Sequence, residues 1–250
     1  MSFVPQDYLY NVARGKVSGA QPFSAYGRVT TAGAASGLLW PNGVYTYPAS
    51  SGVQVRVVSD SANDAAAGTG ARTIDIHYLD ANLAEQVETV TMNGTTPVNT
   101  VATNIRFIQC MHIVTFGSLK ATAGNIVATN LAATENYSYI STGKLRCSSS
   151  LRMVPAGKRL LVSSFFGGSI SGSAGAATRI QMATPTFDGH DFTSSSIFMP
   201  LSAGAFQDNS GGITINCPVA FTEGQSLGMV YEVDKAATIV GTWFGWLENA

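Results

Sequence analysis

Apolar and polar positions alternate with period two over much of this chain, and Gly-, Pro-, Asn- or Asp-rich turns stop each run. Successive strand side chains point to opposite faces, so this period predicts half-buried β-strands. Legible runs begin with Leu38-Leu39-Trp40, stopped at Pro41-Asn42-Gly43, and continue with Tyr45-Thr46-Tyr47 and Val53-Gln54-Val55-Arg56-Val57-Val58. A small, polar loop over residues 59–70 precedes a strand over 72–78, a turn at Asp80-Ala81-Asn82 and a strand over 86–92. Asn93-Gly94 is the strongest hairpin signal, because a type I′ turn needs positive φ at both central residues. Runs over 105–116 and 124–129 complete about six or seven strands, the spacing of a β-sandwich.

Residues 130–142 break this rhythm, and a boundary is placed there. Apolar runs then return over 150–154, 159–166, 178–184, 197–201, 213–220, 226–232 and 238–247, separated by Pro or Gly turns. The expected fold is all-β, with two tandem antiparallel β-sandwich domains of jelly-roll or Ig-like type. The expected divisions are an N-terminal arm over 1–37, a first domain over 38–132 and a second over 143–250. The arm shows no clean period and is expected to be irregular. Its aromatics Phe3, Tyr8, Tyr10, Phe23 and Tyr26 suggest packing on something else, since disordered arms are usually aromatic-poor. The last strand, with Trp243 and Trp246, is aromatic enough to anchor a core or an interface.

Composition supports the β reading. Charged residues make up 12% of the chain, about half the usual share, and 26 glycines with Ser, Thr, Ala and Asn fill the gap. Exposed helices normally show Glu, Lys and Arg at i,i+4 spacing, and almost none of that is visible. The net charge of −1 gives no electrostatic reason to expect nucleic acid or an anionic membrane as partner. A nearly neutral surface also weakens repulsion between copies and favours assembly. No basic region leads into an apolar stretch at the start, and no run approaches the roughly 20 apolar residues of a membrane helix, so neither export nor a membrane span is expected.

The search for chemistry returns little. Gly168-Ser169-Ile170-Ser171-Gly172 puts Ile where a nucleophile elbow needs Ser, and neither a phosphate-binding glycine loop nor HExxH is present. Cys110, Cys147 and Cys217 form no CxxC pair, so no zinc site or disulfide framework is expected, and Cys110 reads as a buried small hydrophobe. His77 and His112 fall in predicted strands as lone histidines, and His190 falls in a turn. Glu85 and Glu88 flank a strand start, whereas a glycosidase pair needs two acids facing one cleft, and few acids fall where a half-buried strand would aim them at a shared site. Asp60-Ser61-Ala62-Asn63-Asp64 offers closely spaced oxygens of the kind calcium takes, but reads first as an Asx-type turn. No enzyme activity, cofactor or metal is expected.

Two stretches carry a resemblance. Residues 59–73, containing Asn63-Asp64 and Gly68-Thr69-Gly70-Ala71-Arg72, lead to Leu79-Asp80 and then to Glu88-Thr89-Val90-Thr91-Met92-Asn93-Gly94-Thr95-Thr96-Pro97-Val98. This resembles a module of tailed-bacteriophage virion structural proteins. Val154-Pro155-Ala156-Gly157-Lys158, followed by Pro218 and Glu223-Gly224, resembles the second domain such proteins carry. The resemblance implies a virion component, made in the host cytoplasm, that decorates or cements a capsid by contacts with itself and with other virion proteins. It carries no catalytic or ligand-binding residues across. Phe3, Tyr8, Tyr10, Phe23, Tyr26, Trp243 and Trp246 are the expected assembly contacts, with core packing as the alternative. A receptor- or glycan-binding tip is the other reading, for which Asp188, Asp191, Asp208 and Asn209 supply turn-borne polar groups.

Overall fold

The computed structural model describes residues 8–43, 45–172, 177–185, 198–207 and 212–250. A short helix, α1 (Tyr8–Ala13), leads into β1 (Gln21–Thr31) and β2 (Ala35–Leu38). Then follow β3 (Val55–Ser59), β4 (Ala71–Asp80), β5 (Glu85–Thr91), β6 (Val98–Asn99), β7 (Ile105–Phe116), β8 (Ile126–Asn130) and β9 (Asn136–Ile140). The remainder is β10 (Arg152–Met153), β11 (Lys158–Gly172), β12 (Ala177–Pro185), β13 (Phe198–Gln207), β14 (Gly212–Thr222), β15 (Ser226–Val233) and β16 (Ala237–Asn249).

These strands form four antiparallel sheets. The first runs β1-β16-β11-β14, and the second runs β10-β15-β12-β13 with β2 added on β15. The third runs β6-β3-β8-β9, and the fourth β5-β4-β7. The expectation of two tandem jelly-roll or Ig-like sandwiches behind an irregular arm is therefore corrected. The all-β part holds, but the strands sort into four blades. The arm contributes a helix and two strands, and β1 pairs with β16 over eleven positions, from Gln21 opposite Leu247 to Thr31 opposite Ala237. The physical reason is the exposed ladder of β16, whose free N–H and C=O groups need a partner.

Two apolar cores lie between the sheets. One joins the first and second sheets through Leu160, Phe165, Met182, Met229, Ile239 and Trp243. The other joins the third and fourth through Val57, Ile74, Ile76, Met111, Ile126 and Tyr137. A third cluster, with Leu38, Trp40, Tyr45, Leu79, Phe107 and Val230, ties the two pairs together.

Two local expectations change. Residues 130–142, read as a break, contain β9, which pairs with β8. Asn93-Gly94 does turn, with Gly94 at φ 62°, but makes no hairpin. It carries the chain from β5 in the fourth sheet to β6 in the third. The hairpin of the fourth sheet is β4–β5, closed at Asp80, whose carboxylate accepts from Asn82 N at 2.8 Å and Ala84 N at 3.0 Å.

Candidate functional site

The outer face of the first sheet carries a row of exposed aromatics. Across β1, β16 and β11 the register aligns Tyr26, Thr242 and Phe166, then Ser24, Phe244 and Ser164, then Pro22, Trp246 and Leu161. Strand alternation sends these side chains away from the core. Tyr26 is 43% exposed, Phe244 49% and Phe166 37%, so the stripe is open to solvent. Tyr8 of α1 continues it, with its ring 5.5 Å from that of Trp246 and its hydroxyl donating to Glu248 at 3.2 Å. Arg159 grips the same Glu248 carboxylate and holds it below the usual range.

The inner face is different. Phe23 packs on Trp243 at 5.9 Å, and the fully buried Trp243 donates Nε1–H to Ser150 O at 2.8 Å. Six of the seven expected contact residues are described, and they divide between exposed and core-side positions. Tyr8, Tyr10 and Tyr26 are exposed, Trp246 is half-buried on the outer face, Trp243 and Phe23 belong to the core side, and Phe3 lies outside the described residues. Sequence reasoning missed Phe244 and Phe166. The signal for Phe244 was available, because Trp243 and Phe244 must point to opposite faces of one strand.

A second group of side chains gathers on the outer face of the fourth sheet. Asp75 stands opposite His112 across β4 and β7, and His77 stands opposite Cys110. The His77 and His112 rings stack with centroids 4.9 Å apart, and His112 Nε2 is 3.9 Å from Asp75 Oδ2. Thr89 of β5 donates to Asp75 Oδ1 at 2.6 Å. Burial lowers the His77 pKa, and His112 lowers it further, against a smaller opposing pull from Asp75 and Glu85. Cys110 is half-buried here rather than a core residue, and shares a hydrogen bond with the buried Cys147. That bond, helped by the Arg152 guanidinium, pulls the Cys147 thiol down, while the same bond and burial push Cys110 up. His77, Glu85, Cys110, Arg146 and Arg152 line a cavity of about 460 Å³. Two histidines distant in sequence thus share one surface. His190 and the polar residues Asp188, Asp191, Asp208 and Asn209 lie outside the described residues.

The loop over 59–70 is held by its own carboxylates. Asp64 is fully buried and accepts from Ser59 Oγ at 2.6 Å, Ala71 N at 2.7 Å, Ala123 N at 2.8 Å and Gly124 N at 2.9 Å. Asp60 accepts from Asn125 N and Nδ2, each at 2.7 Å. Arg72 Nε donates to Gly68 O at 3.0 Å. These acceptors are committed to protein donors, most of them on the connection between β7 and β8 rather than within an Asx-type turn of the loop itself.

No family model matches the chain, and no curated protein matches it. Among solved structures it is similar to one of infectious bursal disease virus, Gt strain. Identity is 11% over 98% of this chain and 74% of the other, with a TM-score of 0.24. The VP2 subviral particle of the same virus gives 9% identity over 92% and 76%, with a TM-score of 0.21. The tandem CBM22-1-CBM22-2 domain of Xyn10C from Paenibacillus barcinonensis gives 10% over 85% and 92%, with a TM-score of 0.22. Similarity this slight assigns neither a fold nor a function. The expected kinship with tailed-bacteriophage virion proteins is corrected: no family model and no curated protein carries it, and none of the solved structures named above is of a tailed phage. The decorating or cementing role on a phage capsid goes with it.

Proposed function

We propose that this chain is a non-enzymatic structural protein of a virus particle, working through contacts between its own copies and with other virion proteins. Its place would be the virion, after synthesis in the host cytoplasm. The observation that carries the reading is the solvent-open stripe of Tyr8, Tyr26, Phe166, Phe244 and Trp246 on the first sheet. Large aromatics on a flat, hydrogen-bonded face give contact area at low entropic cost, and aromatic residues are enriched in interfaces. A net charge of −1 leaves little repulsion between copies, so a second copy of the chain is the natural occupant.

The test is the solution mass of the full chain by size-exclusion chromatography with light scattering, beside Phe244→Asp. The expected result is a discrete oligomer that shifts to monomer in the variant, since a charge buried in an apolar contact is strongly unfavourable. A monomer at every concentration, or an oligomer indifferent to Phe244→Asp and Tyr26→Asp, overturns the proposal.

A further inference from the structure

We propose that Asp75, His77 and His112 form a binding site for a divalent transition-metal ion of the zinc class on the outer face of the fourth sheet. One ligand atom from each residue lies within 4.8 Å of the other two. Zinc bonds to nitrogen and oxygen at about 2.0–2.2 Å, so tetrahedral ligands sit roughly 3.3–3.6 Å apart, and small side-chain rotations close the difference. The backbone supplies the rest of the arrangement. Asp75 and His112 are direct cross-strand partners, and His77 lies two residues along β4 on the same face, giving three ligands from one rigid strand pair.

The surroundings match those of metal ligands. Thr89 holds one oxygen of Asp75 and leaves the other towards His112, the outer-shell contact that orients a ligating carboxylate. Two imidazoles with one carboxylate favour zinc and its neighbours over calcium or magnesium, which take oxygen ligands. The His112 side chain is 41% exposed, so solvent can enter and complete the coordination sphere. The bound ion would clip β4 to β7. Nothing in this reading depends on the assembly proposed above.

The test is calorimetric titration of the full, tag-free chain with zinc chloride. About one equivalent should bind, with binding lost in His77→Ala and His112→Ala, kept in Cys110→Ser and His190→Ala, and weakened about tenfold in Thr89→Val. Uptake that survives His112→Ala, or vanishes in Cys110→Ser, overturns the site, as does no uptake by the wild type. Circular dichroism of each apo variant separates a lost ligand from a lost fold. Cobalt(II) reads the donor set in the unmodified protein: a d–d spectrum without thiolate charge transfer is expected. A strong thiolate band would place the ion on cysteine and sink the proposal.

Discussion

Asp64 shows how one side chain can account for a sequence motif. Its two oxygens take three backbone N–H groups and one hydroxyl in a fully buried position. Gly70 makes room for it, and Gly68 makes room for the backbone of the neighbouring Asn63. A Cβ on Gly70 would stand 2.1 Å from Asp64 Oδ1, and one on Gly68 would stand 2.0 Å from Asn63 O. Asp64→Ala strands those donors, each at a desolvation cost of about 1–3 kcal/mol. The expected loss is about 3–5 kcal/mol, seen as a lower urea midpoint at constant slope. A loss under about 1 kcal/mol would show that water replaces the carboxylate without difficulty. His77 yields a pH prediction. Its folded pKa is lowered, chiefly by burial and then by His112, while Asp75 and Glu85 oppose the shift. The unfolded chain takes that proton near pH 6.5, so between the two values the unfolded state holds more protons. This contribution to stability is full above about pH 6.5 and is lost as the pH falls through the lower folded value. Denaturant midpoints from pH 8 to 5 should fall less steeply in His77→Gln than in the wild type, and parallel curves would contradict the assignment.

At the scale of elements, period two located strands well and sheets poorly. The runs at 72–78, 86–92 and 105–116 became β4, β5 and β7, because alternation is a local property of each strand. Which sheet a strand joins depends on partners far away in sequence. Thus β1 was invisible as a strand: its inner positions are Phe23, Ala25, Gly27 and Val29, and two of these are too small to register as a hydrophobic beat. Gly27 is there because β1 crosses close to Leu39, whose carbonyl oxygen would lie 2.4 Å from a Cβ. Asn93-Gly94 supplied a turn as its chemistry requires, yet nothing local says that the next strand belongs to another sheet. The pairing makes removal of residues 1–31 a test of stability rather than of assembly. β16 would lose its whole ladder to β1, and Trp243 would lose Phe23. The shortened chain should be insoluble or lack a cooperative thermal transition. A soluble deletion variant melting within a few degrees of the wild type would mean that β1 is an accessory strand.

For the whole molecule, the candidate surfaces were legible only in part. The aromatics of the arm and of the last strand stood out by composition, but their division between core and surface needed the register of β1 on β16. Asp75, His77 and His112 came together only through the β4–β7 pairing, which no spacing in the sequence encodes. The molecule as a whole spends its few charges sparingly, with 14 basic and 15 acidic residues in 250. Among the described residues the stripe on the first sheet has an ion pair at its margin, Arg159 with Glu248, and its exposed aromatics alternate with the uncharged Ser24, Ser164 and Thr242. That distribution decides how assembly should respond to salt. Exposed ion pairs contribute about 0–1 kcal/mol and are screened further as salt rises, so little driving force is lost when they weaken. Apolar burial contributes about 25 cal/mol per Å² and is strengthened by ions excluded from the surface, such as sulfate. Light scattering should therefore find the same mass at low sodium chloride and near 1 M, and a shift towards assembly in ammonium sulfate. Cooling should loosen the contact, because the entropic drive for apolar burial weakens at low temperature. Dissociation by sodium chloride would mean that Arg159 and Glu248, rather than Phe244 and its neighbours, hold the copies together.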